Sequence, residues 1–449
     1  MKQNAEELQQ LAVAALSAGR LNEAEARYRD LLSVHPHPGV LHNLALVLVR
    51  LRRDAEAVPL FEQSLAARPE DSNARLALSN ALLHCDRPRD ALTRCDEVLA
   101  VDPGDRDARQ NRAVALRALN RHAEAADALQ TLLTEDPEDA DAEFNLALAE
   151  LMLGRYASAW VHYEARWRGS NAQPPLPSSI TPAWQPGESL AGRTVLVQAE
   201  QGLGDSIQFV RLLRRLDRIC VRADLQVQPE LVAFLRRQWP ARRIDTLGTK
   251  PSPDLETRIP LLSLPLALGL EDPGAASAYL QADPKRIERW SQRLKPRSSR
   301  LIGFAWRGNP KKRHDPLRSV PLEELRPWLE AAEAKGCSVI ALQRDASLHE
   351  REWLARFPHV NVLGEQLSDF DDTAAVMALA DQVVSVDTSV IHLAGALGRP
   401  AIILLRFCSD WHWGLDRPDG STYRSVRTLR QPAPGHWGQA VGALIDLLP

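Results

Sequence analysis

Five alanines, Ala24, Ala57, Ala91, Ala125 and Ala159, are spaced 33, 34, 34 and 34 residues apart, and this period constrains the first third of the chain more than any other feature. Twelve residues after each of the first four stands a proline: Pro36, Pro69, Pro103 and Pro137. Twelve residues before each alanine lies another small residue: Ala12, Ala45, Ser79, Ala113 and Ala147. Small residues in a fixed register let two helices cross closely, and proline marks the exit from each unit, so every period describes one helical hairpin. One hairpin cannot bury its apolar face alone. Stacked hairpins can, and the expected form is an α-solenoid over residues 1–168.

This pattern resembles the tetratricopeptide repeat. Four units are complete; the fifth keeps Gly154, Tyr156, Ala159 and Tyr163 but runs on to Trp167 without its proline, as a unit docked on the next domain would. Two positions before the small residue of the first helix stand Asn43, Ala77, Asn111 and Asn145. In peptide-binding members of the family, notably the array attached to the O-GlcNAc transferase, asparagines in this register line the concave groove and hold a peptide backbone. The resemblance implies that role for Asn43, Asn111 and Asn145, since an amide both donates and accepts. The alternative is that these amides only cap or solvate a helix face, and Ala77 and Gln10 interrupt the ladder.

A chain of 449 residues exceeds one core and suggests two to four compact units. Lys+Arg 55 against Asp+Glu 58 leaves a net charge of -3, which points to neither nucleic acid nor an anionic membrane. The five cysteines are scattered and lack a C-x-x-C pair, which fits a reducing compartment. The N-terminus lacks the apolar core of a signal peptide, and no apolar run approaches the ~20 residues of a membrane span. A cytoplasmic protein is expected.

Residues 169–187 hold five prolines and no periodicity, an extended linker. A small α/β lobe is expected over 188–283, with strands at 194–199, 219–223, 243–247 and 259–264 and helices at 206–216 and 229–238. A charged helix and a Lys-Pro-Arg-Ser-Ser joint at 281–299 suit a hinge. The second lobe, within 284–449, has expected strands at 301–306, 338–342 and 360–363, helices at 322–335 and 373–380, and a terminal helix at 432–448. Its most informative stretch is 383–400, VVSVDTSVIHLAGALGRP. A buried strand there meets Asp387-Thr388-Ser389, which suits a helix N-cap, then a helix over 390–397 and a strand over 401–405. At such a junction, free N–H groups and the positive dipole end favour a phosphate, with Thr388, Ser389 and His392 as further donors. An ordinary capped helix is the alternative.

Two α/β lobes, an early Gly-Leu-Gly-Asp turn at 202–205 and a late Asp-Thr-Ser-Val-Ile-His-Leu-Ala-Gly-Ala-Leu look like the heptosyltransferase type of GT-B glycosyltransferase over about 188–449. The fold class expected for the whole chain is therefore α plus α/β: a tetratricopeptide solenoid, then a GT-B half of two Rossmann-like lobes. The resemblance implies that Asp205 is the general base. It places the nucleotide-sugar diphosphate against Gly204, Asp387, Thr388, Ser389 and His392, with Arg318 of Arg-Ser-Val-Pro where heptosyltransferases carry a phosphate-facing lysine. Ser389 departs from the family's glycine. Asn309 and Gln343 come just after expected strands, where open sheets bind ligands, although both equally suit turn capping.

Repeats before a GT-B half also resemble bacterial tetratricopeptide glycosyltransferases, including those that modify flagellin, and the WRGN, RSVP and DWHW segments fit that group. The function implied is inverting, metal-independent transfer from a nucleotide-sugar to a polypeptide acceptor, with no cofactor. The alternatives are a non-catalytic scaffold or nucleotide-sugar-binding adaptor, and a lipopolysaccharide-core glycosyltransferase, the latter disfavoured because no basic amphipathic face suits a membrane surface. Asp369-Phe370-Asp371 imitates a D-x-D metal motif but precedes a helix, where acids commonly cap. Trp411, His412 and Trp413 suit stacking on a sugar or base, and suit core packing better.

Overall fold

The computed structural model describes all residues except 1, 171, 178–180, 273, 295–299, 310–314 and 416–421, and at 2–4, 315 and 316 the backbone alone. The Lys-Pro-Arg-Ser-Ser joint thus lies outside the described residues. The chain divides into two compact units, Met1–Ala149 and Glu150–Pro449. The repeat pattern extends to residue 168; the division falls inside the first helix of the fifth hairpin, so that the second helix of that hairpin belongs to the second unit.

The first unit is a series of antiparallel helix pairs: Lys2–Ser17 with Leu21–Val34, Pro38–Arg50 with Asp54–Ala67, Ser72–His84 with Pro88–Val101, and Arg106–Ala118 with His122–Glu135, and then Ala140–Met152. The small residues of the period do what their spacing requires. Ala12, Ala24, Ala45, Ala57, Ala91, Ala113 and Ala125 are fully buried where helices cross, as is Ser79, whose hydroxyl donates to the Leu76 carbonyl. Aspartates cap successive first helices: Asp71 accepts from the Ala74 amide, Asp105 from Ala108 and Asp139 from Ala142. The turn inside each hairpin needs one left-handed residue, which is Gly19, Arg52, Asp86, Asn120 and then Gly154, in the same register as the alanines. Three of these are not glycine, so the turn must be imposed by the packed helices on either side.

The second unit contains two parallel sheets. The smaller has strands β1 (Thr194–Gln198), β2 (Arg222–Val227), β3 (Ile244–Thr246) and β4 (Thr257–Pro260) in the order β3-β2-β1-β4. The larger comprises β5 (Arg300–Ala305), β6 (Cys337–Ala341), β7 (Val360–Val362), β8 (Gln382–Val386), β9 (Ala401–Leu405) and β10 (Val426–Arg430) in the order β10-β9-β8-β5-β6-β7. All registered pairs are parallel. In each sheet the first strand is central and the chain then builds outward in both directions, so a crevice opens at the carboxyl ends of β1 and β4, and of β5 and β8. These are two Rossmann-like lobes, the arrangement expected of a GT-B half.

Sequence expectations shift at several places. The strand expected at 219–223 begins at Arg222, because Ile219 and Val221 are exposed turn residues. The strand expected at 259–264 ends at Pro260, and Leu261–Ser263 turn into a 3-10 helix that buries the same leucines. Strand β10 has no counterpart among the expected elements, and the terminal helix is confined to Gly438–Asp446. The end of the proline-rich segment is extended but packed: Ala183 bridges to Arg258 beside β4, and Trp184 is buried.

Candidate functional site

Strand β8 is buried because it lies between β5 and β9. Its β-branched residues suit that place, and its carboxyl end delivers Asp387 and Thr388 to the crevice beside β5. Thr388 has extended backbone and caps the helix Ser389–Ala396, accepting from the Val390 amide at 3.3 Å. Gly395 lets the ring of Tyr423 lie against this helix, since a Cβ there would stand 2.3 Å from the ring. Tyr423 in turn holds His392, its hydroxyl 3.0 Å from Nδ1, and His392 Nε2 lies 3.6 Å from Asp387 Oδ1. Arg318 Nη1 is 3.8 Å from the other Asp387 oxygen. Burial alone would raise the Asp387 carboxyl, yet His392 and Arg318 outweigh it and bring it down to about 2. Asp387 is therefore a fixed anion that orients one imidazole and one guanidinium beside a helix start.

The first lobe faces this helix with its own. Gly202 begins the helix Leu203–Phe209, and Asp205 Oδ2 accepts from the Gly202 amide at 2.9 Å. That bond turns Oδ1 toward the second lobe, where His412 Nε2 lies 3.0 Å away. Burial disfavours the Asp205 charge, but the hydrogen bond and charge of His412, with His392 behind, hold the carboxyl below its ordinary range. Burial likewise opposes the His412 cation, and Asp410, Asp205 and Asp387 together raise its pKa.

The loop carrying Asp205 is anchored from below. Glu200, two residues past β1, accepts from the Leu261 and Leu262 amides and pairs with Arg166 Nη2 at 3.2 Å. Arg166 also binds Glu164 and the Ser263 hydroxyl, while Gln201 donates to the Tyr163 hydroxyl at 2.8 Å. Burial pushes Glu200 up to about 7 against the pull of Arg166 and the amides.

The tertiary structure thus sets Gly204 against His392 and Asp205 against His412, and places His392 and Arg318 around Asp387 beside the helix start of Thr388 and Ser389. Asn309 is exposed on the loop after β5. Gln343, just after β6, accepts from the Arg307 amide at 3.3 Å and donates to Asp345 at 2.7 Å, so it organises the neighbouring loop. Asp369 caps the helix Phe370–Leu379, and both acids of the Asp369-Phe370-Asp371 segment pair with arginines, Asp369 with Arg286 and Asp371 with Arg237. Among the described residues no group of three or more His, Cys, Asp or Glu could hold a metal ion, and no helix is long and apolar enough to cross a membrane. Sequence reasoning missed the roles of His412, Tyr423, Arg166 and Glu200. Trp411 and Trp413 are packing residues, against Phe209 and His392 respectively, but the histidine between them meets Asp205.

In the first unit Asn43, Asn111 and Asn145 sit half-buried on the first helices of their hairpins. Asn43 faces the Tyr28 hydroxyl and partly offsets the burial that raises its pKa. Asn145 accepts from Arg117 and donates to the Asp141 carbonyl.

Comparison with known proteins matches two kinds of family to successive parts of the chain. Tetratricopeptide repeat profiles match residues 10–72, 52–115 and 111–173, and the profile of glycosyltransferase family 9 (heptosyltransferase) matches 321–431, which contains Asp387, Thr388, Ser389, His392 and His412. The chain is 26% identical over 317 residues to Protein FlbA of Caulobacter vibrioides, covering 64% of this chain and 52% of that protein. It therefore spans about half the length of that curated relative. Similar solved structures include MamA 41-end from Desulfovibrio magneticus RS-1 (21% identity, TM-score 0.34, 36% of this chain and 92% of that one). A tetratricopeptide repeat protein from Parabacteroides merdae is similar at 19% identity and TM-score 0.33, over 36% of this chain and 71% of that one. The chain carries an array of tetratricopeptide repeats and, after it, a glycosyltransferase family 9 (heptosyltransferase) domain.

Proposed function

We propose that the protein moves a sugar, with inversion, from a nucleotide-sugar to a polypeptide acceptor recruited by the repeat array. The observation that carries the reading is the approach of two helix starts from opposite lobes, one bearing Asp205 and the other Thr388, Ser389 and His392. In the reaction Asp205 takes the proton of the acceptor hydroxyl, whose oxygen attacks the anomeric carbon. The bond from that carbon to the diphosphate breaks, and its electron pair leaves with the nucleoside diphosphate. The growing charge meets the Ser389–Ala396 helix start, His392 and Arg318, a preorganised set that requires no metal. Retained turnover in the presence of a chelator checks that last point.

Asp205→Asn tests the base. It should keep donor affinity and lower kcat by about 100-fold, the scale of lost general-base help. Near-normal turnover by the folded variant would remove Asp205 from the role.

Recruitment by the array rests on the register of Asn43, Asn111 and Asn145, and flagellin is the acceptor to try first because the order of parts resembles flagellin-modifying enzymes. Changing all three to alanine should raise the acceptor's Kd at least about tenfold, since each lost amide bond costs about 0.5–1.5 kcal/mol. Because Asn145 also holds Arg117, Asn111→Ala alone should show part of the effect. A triple variant that glycosylates protein normally would leave the repeats as an assembly module.

A further inference from the structure

After β9 the chain passes through 406–410 and makes a short 3-10 turn, Trp411–Trp413, all three residues of which are buried. Its tryptophans are anchored on opposite lobes. Trp411 packs edge-on against Phe209, at 6.2 Å, in the helix that carries Asp205, and Trp413 lies 5.3 Å from the His392 ring. Thr422 donates to the His412 carbonyl from the far side. With both neighbours and its own backbone held, His412 has little freedom, and its Nε2 meets Asp205 Oδ1. The other groups facing the imidazole are Asp410, 3.7 Å from Nε2, and the perpendicular ring of His392, with Asp387 and Arg318 behind it. Asp205 is thus gripped by one donor from its own lobe, the Gly202 amide, and one from the opposite lobe.

We infer that His412 is a positioning residue for Asp205, supplied across the cleft, so that the base is complete only when the two lobes stand together. The inference rests on the glycosyl-transfer reading above. A carboxylate buried with one donor has a loose rotamer and an uncompensated desolvation cost; a second N–H donor removes both defects. The same contact makes base formation depend on lobe closure, so a donor that draws the second lobe inward also finishes the site in the first.

The proton accounting restricts the form in which His412 works. The acceptor O–H bond breaks, the proton passes to Asp205, and His412 donates its Nε2–H throughout without losing it. A neutral imidazole can do this. An imidazolium holds the carboxylate too strongly as an anion for it to take a proton, so turnover rises as His412 loses its charge, and the acidic limb of the kcat profile belongs to this pair.

The test uses the full-length protein and the variants His412→Ala, His412→Gln, Asp205→Asn and the double variant His412→Ala/Asp205→Asn. His412→Ala should lower kcat about tenfold or more with the donor KM unchanged, the loss of an interaction made in the transition state. His412→Gln, which restores an N–H donor without a titratable ring, should recover most of that loss and flatten the acidic limb. In the Asp205→Asn background His412→Ala should cost less than about twofold, because residues acting as a unit are not additive. An equal loss in both backgrounds, or an unchanged kcat and pH profile in folded His412→Ala, overturns the inference. The pair has a readout independent of transfer: the His412 imidazole, monitored by NMR, should titrate at lower pH in Asp205→Asn. Unchanged titration overturns the pair whatever the activity. A wild type that turns over no nucleotide-sugar, with the titration shifted as expected, would reject the transferase reading and leave the contact standing as a lobe latch.

Discussion

Gly204 and His392 lie against each other from opposite lobes: a Cβ placed on Gly204 would stand 2.7 Å from Cδ2 of the imidazole and 3.2 Å from its Nε2. The ring cannot simply retreat, because Tyr423 holds Nδ1 and Trp413 packs beside it. Gly204→Ala should therefore displace the imidazole from Asp387 and weaken nucleoside diphosphate binding about tenfold, the loss of one charge-assisted hydrogen bond. Calorimetry on the folded variant checks this; unchanged affinity would show that His392 does not meet the ligand.

Thr388 and His392 should matter to phosphate and not to the nucleoside. Thr388→Val removes the cap of the helix Ser389–Ala396, costing about 1 kcal/mol of stability, and a donor with it. Thr388→Val and His392→Ala should each weaken nucleoside diphosphates at least about tenfold while the free nucleoside changes less than about twofold. Equal losses for both ligands would indicate general destabilisation.

Asp372 should set part of the acid stability. It is buried and accepts from Trp290 Nε1 at 3.0 Å, Arg286 Nη1 at 2.8 Å and the Ser368 amide at 3.1 Å. Burial works against its charge, but these donors bring it from 3.8 down to about 2. A depressed carboxyl contributes stability that is present above its unfolded value and lost as pH falls through its folded one. About 2 kcal/mol should thus disappear between about pH 4 and pH 2. Asp372→Asn should be less stable than the wild type at pH 7, and the gap should close in that window. Denaturant titrations at pH 7 and pH 2.5 measure it.

Arg166 has no exposed side-chain surface and is shared by Glu164, Glu200 and Ser263. Arg166→Met would leave Glu164 without its cation and let Glu200, already pushed up to about 7 by burial, take a proton, which should cost about 3 kcal/mol. Arg166→Lys should recover only part, because an ammonium cannot serve three partners in one plane. A denaturation midpoint within error of the wild type for Arg166→Met would show that the cluster is neutral to stability.

Much of the fold is legible in the sequence because it is written in local periodicity. The alanine spacing specifies the hairpins, and strands dominated by β-branched or apolar residues, such as β8 and β9, can be read nearly to the residue. Short apolar runs are less legible. Leu261, Leu262 and Leu264 are buried whether the segment is strand or 3-10 helix, so hydrophobicity cannot separate the two. Strand β10, with the sequence Val-Arg-Thr-Leu-Arg at a sheet edge, alternates in burial too weakly to announce itself.

By itself, the sequence determined the repeat array, the two α/β lobes, and the capped strand-helix turn at Asp387-Thr388, since each depends on residues close together in the chain. The tertiary structure alone decided which of the two lobes' residues meet. Asp205 and His412 are 207 positions apart, and no pattern in either segment specifies the other. Their contact arises from the packing of Trp411 on Phe209 and of Gly204 on His392, where the shapes of two folded surfaces, not the order of residues, place a carboxylate beside an imidazole.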